Sequence, residues 1–340
     1  EVLQQSQRIL EEPRVQKMGL LRKSASVVLI FAVCIYFLRK YAQGPMCKST
    51  RRLHGKVAII TGANTGIGKY TAQDILERGA KVYMACRSMD RGNEAARDIL
   101  ASTGADQDRL VVMKLDLSSL QSVREFATSF KTREKQLDIL INNAAVALTG
   151  GKKTIDGIEE TFAVNHLGHF LLTNLLLDLL KAAPKSRIVN VSAKAHEFAY
   201  MNFDDIMGEN NYNGIFAYAQ SKLANILFTK ELAKKLKGTQ VTTYSLHPGV
   251  IYTDLLRNAN FLNFKPVRYI AEVVMWPFVK DTAHGAQTQI CCAVSEEFEG
   301  ETGNYYSDCQ KKTPTKDAED MEAAKKLWDL SENLIKSHSR

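Results

Sequence analysis

Apolar residues return along this chain in short runs, and the stretches between those runs carry helical periodicity. From Lys56 onward six runs have strand length, at 56–61 (Lys-Val-Ala-Ile-Ile-Thr), 81–86, 109–115, 137–142, 187–192 and 241–246. Between them, 67–78, 90–102, 119–134, 157–182 and 216–237 are long enough for helices. The last is the clearest, because Leu223, Ile226, Leu227, Leu232 and Leu236 form an apolar stripe and Gly238 supplies a stop. Strand, helix, strand at this rhythm predicts βαβ units, hence a parallel sheet covered by helices on both faces. That is the doubly wound α/β class. No internal repeat, low-complexity tract or linker rich in Pro, Gly or Ser follows residue 55, so one domain is expected over about 55–310, with a helical tail over 311–340. After Pro248 the rhythm breaks into an aromatic-rich stretch (Phe261, Phe264, Tyr269, Trp276, Pro277, Phe278). A cap over an apolar ligand and core packing of the last helices both account for it.

The leader is organised differently. Ala25 to Leu38 is an unbroken uncharged, mostly apolar run, with Arg22 and Lys23 before it and Arg39 and Lys40 after it. A bilayer asks for about 20 residues, so a span over 24–41 needs Ser24, Tyr41 and snorkelling basic side chains to complete its length. We read it as a membrane anchor. A cleaved signal peptide is the rival reading, opposed by the two charges directly after the run and the lack of a small-x-small cleavage site. The flanking charges place the main body on the cytosolic side, with the endoplasmic reticulum as the expected membrane. The absence of acids between Glu12 and Asp74 keeps a mitochondrial destination open. Residues 1–23 are a polar, basic leader, and Met18 stands where an initiator would, so residues 1–17 are expected to be translated upstream sequence.

Charge supports this division. The chain of 340 residues carries a net +8, but residues 1–55 hold ten Lys or Arg against three Glu, leaving the body nearly neutral. A basic leader on a neutral body points to a membrane flank and excludes a nucleic-acid surface. With 45% apolar residues there is ample material for a core. The six cysteines (34, 47, 86, 291, 292, 309) show no zinc or thioredoxin spacing, and reduced thiols are expected. His166, His169 and His247 likewise lack metal-ligand spacing and read as packing or polar core residues.

Candidate chemistry begins directly after the first strand, with Thr61, Gly62, Ala63, Asn64, Thr65, Gly66, Ile67 and Gly68 ahead of a helix. Glycines let backbone approach a pyrophosphate, and the N–H groups at the helix start bind its charge. A glycine triplet is weak evidence alone; its place between strand and helix makes it a dinucleotide site. The second strand ends Ala85, Cys86, Arg87, Ser88. No carboxylate stands there for a ribose 2′-hydroxyl and Arg87 is available to a 2′-phosphate, so NADP(H) is the expected cofactor. Tyr218 and Lys222, four residues apart, share one face of the last helix. Free tyrosine titrates near pH 10, so only about 0.1% is phenolate at pH 7. Moving it to about 7 takes about 4 kcal/mol, most of which a partly buried lysine cation can supply. A snorkelling lysine on a half-buried ring is the bland alternative.

The glycine loop, Asp116 after the third strand, Asn142-Asn143-Ala144 after the fourth, Asn165, Ser192 after the fifth, Tyr218 with Lys222, and Pro248-Gly249 after the sixth occur in one order. That order resembles the short-chain dehydrogenase/reductase family, over about 55–310. Within it, Ala85-Cys86-Arg87, the run Asn165 to Leu172, Tyr218 to Asn225, His247-Pro248-Gly249 and Gly303 to Cys309 resemble membrane-anchored retinol dehydrogenases that reduce retinal with NADPH. Ala145 departs from the glycine usual after Asn-Asn-Ala. The separation of Ser192 and Tyr218 exceeds that of many members.

The resemblance implies a Rossmann-type domain and a catalytic tetrad of Asn165, Ser192, Tyr218 and Lys222. Tyr218 would exchange the proton with the substrate oxygen, Lys222 would lower its pKa and bond the nicotinamide ribose, and Ser192 would bond the substrate oxygen. Asn165 would hold a kink and a water leading to Lys222. Gly62, Asn64, Thr65, Gly66, Ile67, Gly68, Arg87, Asp116, Leu117, Asn143, Ala144, Pro248, Gly249 and Thr253 would line the cofactor, with Asp116 at the adenine. The implied substrate is a small apolar carbonyl, retinal first, with steroid or lipid aldehydes as the alternative. A catalytically silent, membrane-tethered nucleotide-binding scaffold is the reading from another class. Oligomeric state is not legible.

Overall fold

The computed structural model describes residues 29–251 and 276–338. Met18, the start of the expected 24–41 anchor, Thr253, Phe261, Phe264 and Tyr269 lie outside the described residues. A first helix, α1, covers 29–43 and then meets the body: Gln43 donates to Val279 O (3.2 Å) and accepts from Asp281 N (3.0 Å), and Arg39 stacks 4.0 Å over Trp276. Among the described residues no helix is long and apolar enough to cross a membrane.

The predicted alternation is present. Strands β1 (Val57–Thr61), β2 (Lys81–Cys86), β3 (Leu110–Lys114), β4 (Ile139–Asn142), β5 (Ser186–Val191) and β6 (Val241–His247) alternate with helices α2 (Gly66–Glu77), α3 (Met89–Thr103) and α4 (Leu120–Arg133). After β4 comes α5, which is α-helical over Glu160–Phe162, π-helical over Ala163–Leu167 and α-helical again over Gly168–Leu175. Then follow α6 (Leu177–Ala182), α7 (Gly214–Lys235), α8 (Thr282–Val294) and α9 (Met321–Ser337). With two further strands, β7 (Asn304–Ser307) and β8 (Gln310–Lys312), the sheet order is β3-β2-β1-β4-β5-β6-β7-β8, parallel except for the last pair. Successive β1 residues serve opposite faces: Val57 and Ile59 join the core with α4, α5, α7 and α9, while Ala58 and Ile60 join the one with α2, α3 and α8. Burial on both faces explains why β1 reads as an unbroken apolar run.

Three features differ from the sequence reading. The expected 157–182 helix starts later and is interrupted, because Glu159 caps the first turn (accepting from Thr161 N and Phe162 N) and the ladder then shifts to π spacing around Asn165. Strands β7 (Asn304–Ser307) and β8 (Gln310–Lys312) were not predicted, being short and without apolar alternation. Their turn, Asp308-Cys309, has positive φ at both residues, the geometry that usually advertises itself as Asn-Gly. Finally, α7 is no half-exposed amphipathic helix: residues 219–229 are all buried, because α9 lays Trp328 over its outer side. The aromatic stretch contributes Trp276 and Phe278, both about half exposed and outside the core.

Candidate functional site

Strand order reverses between β1 and β4, and ligands of open α/β sheets bind at such a switch point, beyond the carboxyl ends of the strands. Thr61, the last residue of β1, spans it: its Oγ1 accepts from Asn143 N and Ala144 N, each at 2.9 Å, while Asn143 Nδ2 donates to Thr61 O (2.7 Å). The glycine loop leaves β1 here. Gly62 and Gly66 hold positive φ, and a Cβ on Gly68 would sit 2.5 Å from Gly62 O and 2.6 Å from Asn143 Nδ2. Gly68 thus lets the first turn of α2 press against the loop, while the space over Gly66 is open. Asn143 Oδ1 is buried without a hydrogen-bond partner among the described residues. A backbone cradle at a helix start, with an orphaned amide oxygen beneath it, fits a dinucleotide.

Arg87 is exposed immediately after β2, and Lys114 reaches across to donate to its carbonyl (2.6 Å). Ser88 caps α3, which carries Arg91 one turn on. Asn64, Thr65, Lys69, Arg91, Glu94 and Asp98 line a cleft of about 250 Å³ between the glycine loop and α3. Lys69 is paired with Asp98 (2.6 Å). At the end of β3, Asp116 Oδ1 accepts from Ser118 N (3.0 Å) and Ser118 Oγ (2.6 Å), and Leu117 O packs so closely on α5 that only glycine fits at 168. Ile67 turns its carbonyl away from the loop to Gln289 (3.1 Å), and Gly249, at positive φ, lies under the Lys280 stem.

Asn165, Ser192, Tyr218 and Lys222 form one connected cluster. Asn165 clamps Val146, accepting from its N–H (2.8 Å) and donating to its carbonyl (2.9 Å), and also donates to Ser221 Oγ (2.9 Å). Ser221 donates to Tyr218 O (2.7 Å). Ser192 Oγ donates to Lys222 O (2.7 Å), and Lys222 Nζ donates to Val191 O (3.1 Å), which also accepts from Asn225 Nδ2 (3.1 Å). Lys222 is 2% exposed, and its ammonium meets no carboxylate among the described residues, so burial pushes its pKa down to about 7. Burial pushes the Tyr218 phenol up. The expected lowering of Tyr218 by Lys222 is therefore not built into this arrangement: Nζ lies 5.6 Å from the ring centroid, committed to Val191. Ser192, too, has its hydroxyl proton on Lys222 O instead of aimed outward.

Two contributors escaped the sequence reading. Arg91 had a signal, standing four residues after Arg87 at a helix start. His169, read as a packing residue, bonds both Thr61 Oγ1 (2.8 Å) and Asn165 O (3.2 Å), a link between distant segments that no local pattern reveals. His166 is a packing histidine as read, tied to α9 through Ser331 (2.9 Å), and His247 accepts from Lys194 N (3.1 Å).

This geometry agrees with the relatives of the chain. Residues 56–261 match the family model described as short chain dehydrogenase. Retinol dehydrogenase 12 of Bos taurus is 47% identical over 322 residues, covering 94% of this chain and 97% of that protein. Retinol dehydrogenase 11 of Homo sapiens is 46% identical, covering 88% and 91%. Among solved structures, an uncharacterised protein from Mycobacterium Paratuberculosis superposes with a TM-score of 0.69 at 32% identity, covering 86% of this chain and 98% of its own. The Pseudomonas aeruginosa RhlG/NADP active-site complex shares the fold, with a TM-score of 0.58 at 23% identity, covering 75% and 94%. A connected Asn165, Ser192, Tyr218 and Lys222 beside a glycine-loop switch point is thus found in a chain that belongs to the short-chain dehydrogenase family and is, like its members, an oxidoreductase.

Proposed function

We propose that this dehydrogenase uses NADP(H) to interconvert an apolar carbonyl and its alcohol, retinal to retinol first among them, while anchored to the endoplasmic reticulum membrane with its catalytic domain facing the cytosol. The observation that carries the chemistry is a buried lysine with no counter-ion among the described residues, one helical turn from a half-buried tyrosine, at the carboxyl end of β5. Such a lysine opposes folding, which argues for a role beyond packing. When bound, a reduced nicotinamide supplies hydride to the carbonyl carbon. Tyr218 gives its proton to the oxygen as charge develops there, and its raised pKa keeps the phenol protonated at neutral pH, the form that reduction needs. Burial holds the Lys222 ammonium well below its usual pKa, so it gives up a proton more readily than a free lysine and is suited to resupply Tyr218 once its Nζ leaves Val191 O. Ser192 assists the same oxygen once its hydroxyl rotates off Lys222 O.

NADP(H) over NAD(H) is supported by the lack of an acid at the end of β2, by Arg87 directly after that strand and by Arg91 in the cleft beside the glycine loop. Retinoid substrates are supported by the names of the relatives. Anchoring is supported by α1, on which Leu29, Ile30, Phe31, Tyr36 and Phe37 are each more than 60% exposed. The test is NADPH oxidation by detergent-purified protein with all-trans-retinal, beside Tyr218→Phe. Turnover in the wild type and its loss in the variant, with NADPH binding retained, is the expected result. NADPH binding without turnover on retinal, steroid or lipid aldehydes would leave a scaffold.

A further inference from the structure

Thr61 Oγ1 has one proton and two lone pairs. The lone pairs are filled by Asn143 N–H and Ala144 N–H, each at 2.9 Å. The proton must therefore go outward, and of the two acceptors in reach, His169 Nε2 at 2.8 Å is far closer than Ile141 O at 3.4 Å. A proton on Nε2 would be a third donor aimed at a filled oxygen. His169 Nε2 is consequently bare and the ring's proton sits on Nδ1, facing the carbonyl of Asn165 at 3.2 Å. Both neighbours select the same neutral tautomer. Burial acts in the same direction, pushing the imidazole down to about 3.

We infer that His169 is a positioning residue that locks the cofactor cradle to the catalytic turn, through Nε2 accepting from Thr61 on one side and Nδ1–H donating to Asn165 O on the other. This rests on the cofactor reading above. On the first side, Thr61 holds the backbone of Asn143 and Ala144 under the glycine loop. On the second, Asn165 lies in the π turn, where Gly168 N–H reaches back five residues to Ala163 O. The side chain of that asparagine leads on through Ser221 to Tyr218 O. A single ring thus bridges β1, β4 and the turn that braces Tyr218.

The two ring nitrogens can be tested separately, because an asparagine amide overlays Nδ1 and a glutamine amide overlays Nε2. In H169N the bond to Asn165 O survives and that to Thr61 is lost: kcat with all-trans-retinal should stay within about threefold of wild type while the NADPH Kd rises about fivefold or more. H169Q reverses this, with Kd within about twofold and kcat down about tenfold. H169F should impair both. Fluorescence titration of NADPH reads Kd without turnover. Identical behaviour of all three variants in both readouts, whether unchanged or equally impaired, overturns the inference. Should the His169 variants not fold, nitrogen-15 NMR of the wild-type imidazole decides: a bare, pyridine-type Nε2 and a protonated, pyrrole-type Nδ1 at neutral pH are expected, and the opposite tautomer or a doubly protonated ring overturns it. A wild type that neither binds NADPH nor reduces retinal refutes the function itself, an outcome distinct from any pattern among the variants.

Discussion

Replacing Lys222 with methionine should make the protein more stable and inactive at once. Lys222 is 2% exposed, and burial lowers its pKa from 10.5 to about 7. Below pH 7 both folded and unfolded chains hold the proton, and the folded state bears the whole penalty of a buried charge. Between 7 and 10.5 only the unfolded chain holds it, so the penalty shrinks as pH rises, and above 10.5 it vanishes. At about 1.4 kcal/mol per pKa unit the penalty is about 5 kcal/mol at pH 6 and about 2 kcal/mol at pH 9. Methionine matches the length of the stem and forfeits one hydrogen bond to Val191 O, about 1 kcal/mol, while Asn225 continues to satisfy that carbonyl at 3.1 Å. The net gain for Lys222→Met is then about 4 kcal/mol at pH 6 and about 1 kcal/mol at pH 9. Urea unfolding of the cofactor-free proteins at the two pH values, followed by tryptophan fluorescence, measures both numbers. A variant less stable than wild type at pH 6, or a difference that does not change with pH, would refute the premise that this lysine is a strained buried base.

Other changes probe the cradle, the cofactor choice and the tail. Gly68→Ala would drive a methyl to within 2.5 Å of Gly62 O, so the loop backbone must move; NADPH Kd should rise at least about tenfold and the melting temperature should fall. Arg87→Asp should lower the ratio of kcat/KM for NADPH over NADH by at least about tenfold, one charge-assisted bond being about 1.5–3 kcal/mol; Arg91→Ala should lower it in the same direction, and an unchanged ratio in both variants would sink the 2′-phosphate assignment. Trp328→Ala removes an indole packed on Phe170 and Phe228, with ring centroids 4.8 and 5.9 Å away, and should cost about 3–5 kcal/mol in urea titrations even though it lies outside the catalytic cluster.

Much of the site was legible because its parts sit at predictable places. The glycine loop follows β1, Arg87 follows β2, Ser192 follows β5, and Tyr218 and Lys222 lie one turn apart on a helix whose apolar stripe was plain. What escaped notice depends on contacts between distant segments. His169 resembled any core histidine until Thr61, 108 residues earlier, proved to be its partner. The roles of Lys222 and Ser192 also needed coordinates: their types suggested an ammonium beside the phenol and a hydroxyl facing the substrate, while the folded chain directs the first to Val191 O and the second to Lys222 O.

The sequence by itself determined the parallel α/β layering, since strand runs buried on both faces and helices between them admit few other arrangements, and it determined the family through residue types at strand ends. Tertiary structure alone decided that α7 is enclosed by α9, that β7 and β8 extend the sheet, and that α5 carries a π turn at Asn165. The physical reason is one of range. Periodicity and capping act within a few residues, whereas burial of a helix's second face, the pairing of a short polar strand and the bond of a buried histidine to Thr61 are fixed by groups sixty or more residues away.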